Sequence, residues 1–183
     1  MSEAALPRAL PAGVSLRLAT IDDAEPLAEA YTRNRVHLEP WDPQRTSDFF
    51  TVPVQRRTLA QQLNSHAAGS LLPLVLTTPR EIIGRVTLSG ITRGVFQSAA
   101  LGYWIDSSFE GRGVMTAALR SVIRYSRDEL GLHRLEAQTL LHNGASQRVL
   151  AKVGFTEIGM APQYLRIAGT WQDHRLFQLL LED

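Results

Sequence analysis

No cysteine occurs in the 183 residues of this chain. Disulfides, thiolate metal sites and a protein thiol nucleophile are therefore excluded. The expected setting is cytoplasmic, and the chemistry must use other side chains or the thiol of a cofactor. An excess of one charge is lacking too. With 19 basic and 18 acidic residues the net charge is +1, which leaves no electrostatic footprint for nucleic acid or anionic lipid. No apolar run approaches the ~18 residues that a membrane span needs. The five histidines share no metal-ligand spacing, so no metal is expected. The opening MSEAALPRALPAG has no basic end followed by an apolar core. It is read as a flexible tail over 1–13 rather than a signal peptide, ahead of a single domain over 14–183.

What is present describes an ordinary globular chain, 44% hydrophobic and 20% charged. VSLRLAT (14–20) alternates as a strand, and Asp22 or Asp23 caps a helix through DAEPLAEAYTRN. LEPWDPQRTSDFF (38–50) has no period and reads as a loop with one helical turn. A helix follows over 53–69, then strands over 71–78, 81–92 and 98–106, with Gly102 marking a bulge in the last. Residues 112–131 form an amphipathic helix and 133–141 a strand, parallel to 98–106 because a helical crossover joins them. A short helix over 142–155 and two strands turning at Ala168-Gly169 complete one mixed α/β domain.

FEGRGVMTAAL (109–119) places two glycines around an arginine directly before a good helix. Strand, glycine turn, helix is an arrangement that presents backbone amides to a phosphate. A Walker loop is excluded because Val114 follows Gly113, and the dinucleotide fingerprint is excluded because Thr116 stands where its third glycine belongs.

The segment Glu110, Gly111, Arg112, Gly113, Val114, Met115 resembles the acyl-CoA loop of the GNAT acetyltransferase superfamily. The family pattern is Gln or Arg, two residues, Gly, one residue, then Gly or Ala, so Glu110 and Met115 are departures. HNGASQRVLAKVGF matches a second family block, the Asn-led helix along the pantetheine arm, with Asn143, Ser146, Lys152, Gly154 and Phe155 on pattern. NRVHLEPWDP, LGYWID and YLRIAGTWQDH extend the resemblance over almost the whole chain, to the branch of RimJ-like ribosomal-protein N-terminal acetyltransferases.

The resemblance implies a mixed, mostly antiparallel seven-stranded sheet flanked by helices, whose two central parallel strands splay to hold acetyl-CoA. It implies a cofactor site made of the amides and side chains of Glu110 to Thr116, the backbone of Tyr103, Trp104 and Ile105, and Asn143, Ser146 and Lys152. It implies direct attack of an amine on the thioester, with Ser146, which matches a serine of the RimJ/RimL branch, donating to the leaving thiolate; the tyrosine common in the superfamily is here Leu150. Glu39 and Asp42 are the candidates for general base. Trp41, Tyr164 and Trp171, with Glu39 and Asp42, are expected to line the acceptor site. His174 beside Asp173 suggests a structural hydrogen-bonded pair. The implied acceptor is a protein N-terminus, with a small amine as the alternative and a non-catalytic CoA-binding regulator as a third reading. The chain is expected as a monomer or homodimer.

Overall fold

The computed structural model describes residues 6–181. Arg8–Leu10 form an edge strand, β1, that pairs antiparallel with β2 (Val14–Leu18), Arg8 opposite Leu16. The expectation of a loose tail is therefore corrected over residues 8–13, whose last three make a tight turn into β2. Leu10 accounts for this, since it packs against the core and needs the pairing to stay there. Residues 1–5 lie outside the described residues.

Helices α1 (Ala24–Arg33) and α2 (Arg35–Leu38) follow, then a 3-10 turn at Ser47–Phe50 and helix α3 (Val52–Ala67). The start of α1 is secured by Asp23, whose carboxylate takes the Thr20 amide at 2.7 Å and the Arg17 guanidinium at 2.6 and 2.8 Å. The remaining elements are β3 (Leu71–Thr77), β4 (Ile82–Thr92), β5 (Ser98–Ile105), α4 (Val114–Asp128), β6 (Arg134–Leu140), α5 (Gly144–Lys152), β7 (Thr156–Ile167) and β8 (Thr170–Leu180). One sheet carries all eight strands in the order β1-β2-β3-β4-β5-β6-β8-β7, one more than expected because β1 joins it.

Alternation along the strands gives the sheet two apolar faces. Leu72, Leu74, Leu76, Val86, Leu88, Ala99, Leu101, Leu135 and Ala137 pack under α4 and α5 on one face. Val75, Ile82 and Trp104 meet α1 and α3 on the other. Within α4, Val114, Met115, Ala118, Leu119 and Val122 fall on the buried face at helical spacing.

The feature that positions the site is the pairing of β5 with β6. It is parallel, and it covers only Ser98–Ala100 against Arg134–Glu136. Beyond Ala100 the two strands part in mid-sheet. Backbone groups there have lost their ladder partner, and such groups must be satisfied by something else. Gly102 is not a bulge in the register with β4, where it faces Thr87 in an unbroken ladder from Ser89 to Gly84. The irregularity in that pair lies between Ser89 and Thr92 instead. Among the described residues, no helix is long and apolar enough to cross a membrane, and no cluster of three metal-ligating side chains occurs.

Candidate active site

The chain leaves β5 through Asp106, which is 3% exposed. Burial alone would raise its pKa, but hydrogen bonds from Ser108, Asn34 and Arg33 hold it well below the usual carboxylate range. Its Oδ1 accepts from the Ser108 amide and hydroxyl, and its Oδ2 from Asn34 Nδ2 at 2.8 Å and Arg33 Nε at 2.9 Å. This clamp ties the end of β5 to the junction of α1 and α2. The glycine turn follows, with Gly111 at φ +69° and Gly113 at φ +75°. Both conformations are ones that L side chains resist, and they bring the chain directly into α4. The first-turn amides of α4 have no intrahelical acceptor, so the turn offers free donors at the positive end of a fifteen-residue helix.

Four of the expected cofactor residues need qualification. Val114 and Met115 are 1% and 6% exposed with their side chains in the core, so only their backbones face the turn. The Glu110 carboxylate lies 3.7 Å from His37 Nε2, on the side of α2, which explains how an acid is tolerated in an amide-rich loop. Arg112 is exposed with its guanidinium over the Phe109 ring, 5.1 Å from its centre.

Asn143 caps α5, its Oδ1 accepting from the Ser146 amide at 3.1 Å. One turn on, the Ser146 hydroxyl lies 2.7 Å from the Tyr103 hydroxyl. Tyr103 thus contributes more than backbone to this region: its ring crosses from β5 to α5 beyond the point where β5 and β6 part. Burial pushes its phenol up to about 12, against a lowering from the Ser146 bond. Leu150 is fully buried, and Lys152 is exposed at the end of α5. The Ile105 carbonyl receives His37 Nε2 at 3.2 Å.

Trp104, between Tyr103 and Ile105, points to the opposite face. Its indole N–H donates to the Tyr31 hydroxyl at 3.2 Å, and the rings lie 5.1 Å apart. Tyr31 forms one wall of a cavity of about 220 Å³, lined also by Arg35, Glu39, Asp42, Arg45 and Phe49 among others. Arg45 sits over Phe49 and Arg35 over Phe50, so cations and aromatic rings alternate around it. Glu39 is exposed at this cavity, whereas Asp42 is paired with Arg45 at 3.1 Å. The Asp42 carbonyl accepts the Ala168 amide at 3.0 Å, which ties the loop to the tip of the β7–β8 hairpin.

The aromatic residues expected at an acceptor site are spread around this region rather than gathered in the cavity. Trp41 stacks on His142, with ring centres 5.4 Å apart, next to the cap of α5. Tyr164 lies 5.7 Å from the ring of His174, and Trp171 is 62% exposed on the hairpin. The expected Asp173–His174 bond is not made. Neighbours on a strand point to opposite faces, so Asp173 accepts from the Gln163 amide while His174 Nδ1 donates to the Gln172 carbonyl. Sequence reasoning missed Tyr31, Arg35, Arg45, Phe49 and the Tyr103 hydroxyl. Arg45 and Phe49 lie in the unpatterned segment 38–50, and Tyr31, Arg35 and Tyr103 lie in regular elements whose local pattern does not say what their polar ends meet.

The family model described as Acetyltransferase (GNAT) domain matches residues 14–156. The chain is 36% identical over 170 residues to the [Ribosomal protein uS5]-alanine N-acetyltransferase of Escherichia coli, covering 92% of this chain and 88% of that protein. Among solved structures, the ribosomal-protein-S5-alanine acetyltransferase from Vibrio fischeri superimposes with a TM-score of 0.90 at 35% identity, over 93% of this chain and 94% of that one. RimJ of Mycobacterium smegmatis, in complex with CoA-disulfide, gives 0.89 at 34% identity, over 95% of this chain and 85% of that one.

Proposed function

The chain belongs to the GNAT acetyltransferase family, and from that premise we propose that it acetylates the α-amine of a protein N-terminus with acetyl-CoA as donor. The observation that carries the reading is the parting of β5 from β6 after Ala100, with the glycine turn and α5 on one face and the Tyr31 cavity on the other. We read the first face as the donor side and the second as the acceptor side. The Escherichia coli relative acts on an alanine of a ribosomal protein, which supports a ribosomal-protein terminus as the acceptor class.

The residues present fit the donor. The amides of Gly111 to Thr116 and the Arg112 guanidinium suit a pyrophosphate, because they combine unpaired donors with positive charge. The freed edge of β5 at Tyr103 and Ile105 suits the pantetheine amides, which would add to it as a strand does, whereas the backbone of Trp104 between them turns to Arg85 of β4. Asn143 and Lys152 flank that path on α5. Bound acetyl-CoA supplies a thioester, whose carbon–sulfur bond breaks as the nitrogen–carbon bond to the acceptor forms. Ser146 donates its hydroxyl hydrogen to the negative charge that develops on sulfur. Glu39 receives the amine proton, directly or through water. It is the better placed of the two candidate carboxylates, because Asp42 is engaged with Arg45. A weak base suffices for this acceptor: an α-amine with a pKa of about 7.7–8.0 is already roughly 10–20% neutral at pH 7.

The test is thiol release from acetyl-CoA against peptides with free N-termini, lysine peptides blocked at the N-terminus, and small amines. Turnover confined to free N-termini is expected. Turnover with small amines alone would move the acceptor to that class, and tight CoA binding without turnover would favour a regulator. Ser146→Ala is expected to lower kcat on the order of 10²-fold while CoA still binds. Asn143→Ala should instead weaken CoA binding, measured by calorimetry.

A further inference from the structure

A serine inside a helix commonly donates its hydroxyl hydrogen to the carbonyl four residues back. Two serines of α4 do so here, Ser121 to Ala117 at 3.1 Å and Ser126 to Val122 at 2.8 Å. Ser146 does not. Its hydroxyl is bonded to the Tyr103 hydroxyl at 2.7 Å, and the same phenol lies 3.3 Å from the Ser146 carbonyl oxygen. The other hydroxyl that α5 could have offered is absent, because position 150 is a leucine, whose side chain is buried in the core.

We propose, on the reading that this site transfers an acyl group from a thioester, that Tyr103 is a positioning residue that aims the Ser146 hydroxyl at the departing sulfur. Two hydroxyl hydrogens and three oxygens are available, so two arrangements compete. In one, Tyr103 donates to Ser146 Oγ, and the Ser146 hydrogen is free to point into the gap between β5 and α5. In the other, Ser146 donates to Tyr103, and Tyr103 donates to the Ser146 carbonyl at the longer distance. Negative charge in the gap selects the first arrangement. Each donor there polarises the next, so the serine becomes a stronger donor than an isolated hydroxyl. The phenol, pushed up to about 12 by burial, keeps its hydrogen throughout the working range and remains a donor.

The proton balance is simple. The carbon–sulfur electron pair moves to sulfur, Ser146 and Tyr103 supply hydrogen bonds only, and the thiolate takes its proton from solvent on release. Neither hydroxyl is consumed.

The absence of cysteine makes this directly measurable, since CoA is then the one thiol in its complex with the full chain. The thiolate ultraviolet absorbance of bound CoA is followed against pH for the parent protein, Tyr103→Phe, Ser146→Ala and the double variant, with melting temperatures recorded for each. In the parent protein the bound thiol is expected to titrate about one pH unit below free CoA measured in the same buffer. Tyr103→Phe should recover part of that shift and Ser146→Ala all of it, and the double variant should match Ser146→Ala. In turnover, Tyr103→Phe is expected to lower kcat roughly tenfold with KM for acetyl-CoA within about twofold, again without adding to Ser146→Ala. A bound thiol that titrates identically in parent and Tyr103→Phe would overturn the proposal. So would losses that multiply in the double variant, because the phenol would then act independently of the serine. Failure of every peptide acceptor would overturn the N-terminal reading while leaving the thiol titration interpretable.

Discussion

Gly113 holds φ +75° at the entry to α4, and a Cβ built on it would meet nothing within 4 Å. The cost of Gly113→Ala is therefore conformational, about 1–2 kcal/mol for an L residue held in the left-handed region. Urea unfolding should register that loss, and CoA affinity should fall with it because the same turn presents the amides. Leu150 marks the opposite kind of position. It is enclosed in the core, so Leu150→Ala should cost about 2–5 kcal/mol through lost burial and the cavity left behind. Gly113 was legible in the sequence, since a glycine before a helix is a local signal. The bond between Tyr103 and Ser146 was not. The partners are 43 residues apart, and their contact depends on where β5 leaves the sheet relative to α5.

Elements are joined around the gap by Asp106, which ties β5 and the glycine turn to the α1–α2 junction. Arg33 and Asn34 at that junction donate to one oxygen, and Ser108 in the turn donates to the other. Asn34 also accepts the Ser107 amide at 3.2 Å, so the clamp closes on itself. Asp106→Asn turns an acceptor oxygen into a donor facing Arg33 or Asn34, and leaves buried donors unpaired. The expected loss is about 1–3 kcal/mol in chemical denaturation, with weaker CoA binding because the turn loses its anchor. The order and type of elements followed from hydrophobic periodicity, whose cause is local. Strand β1 escaped that reading because three residues show too little alternation, and its pairing is stabilised by a neighbour rather than by its own pattern.

For the molecule as a whole, Asp23 and Asp106 set the acid limit. Burial would raise both, yet hydrogen bonds and ion pairs hold both below the ordinary value of 3.8. A carboxylate with a depressed folded value contributes stability that is fully present above its unfolded value and is lost as pH falls through the folded one. Thermal unfolding should therefore show no contribution from these groups to pH dependence above about pH 5, and a melting temperature that drops progressively below pH 4. Asp106→Asn should flatten part of that drop. The sequence by itself determined the class of chemistry: no thiol, no excess charge, an amide-bearing glycine turn before a helix and an Asn-capped helix after a parallel strand. These are properties of short segments, and local backbone preference is enough to specify them. Tertiary structure alone decided that Glu110 turns to His37, that the cavity is walled by Tyr31 and Phe49, and that Tyr103 reaches Ser146. Each of these joins groups from different elements. Such contacts are fixed by the packing of two sheet faces, which no local segment encodes.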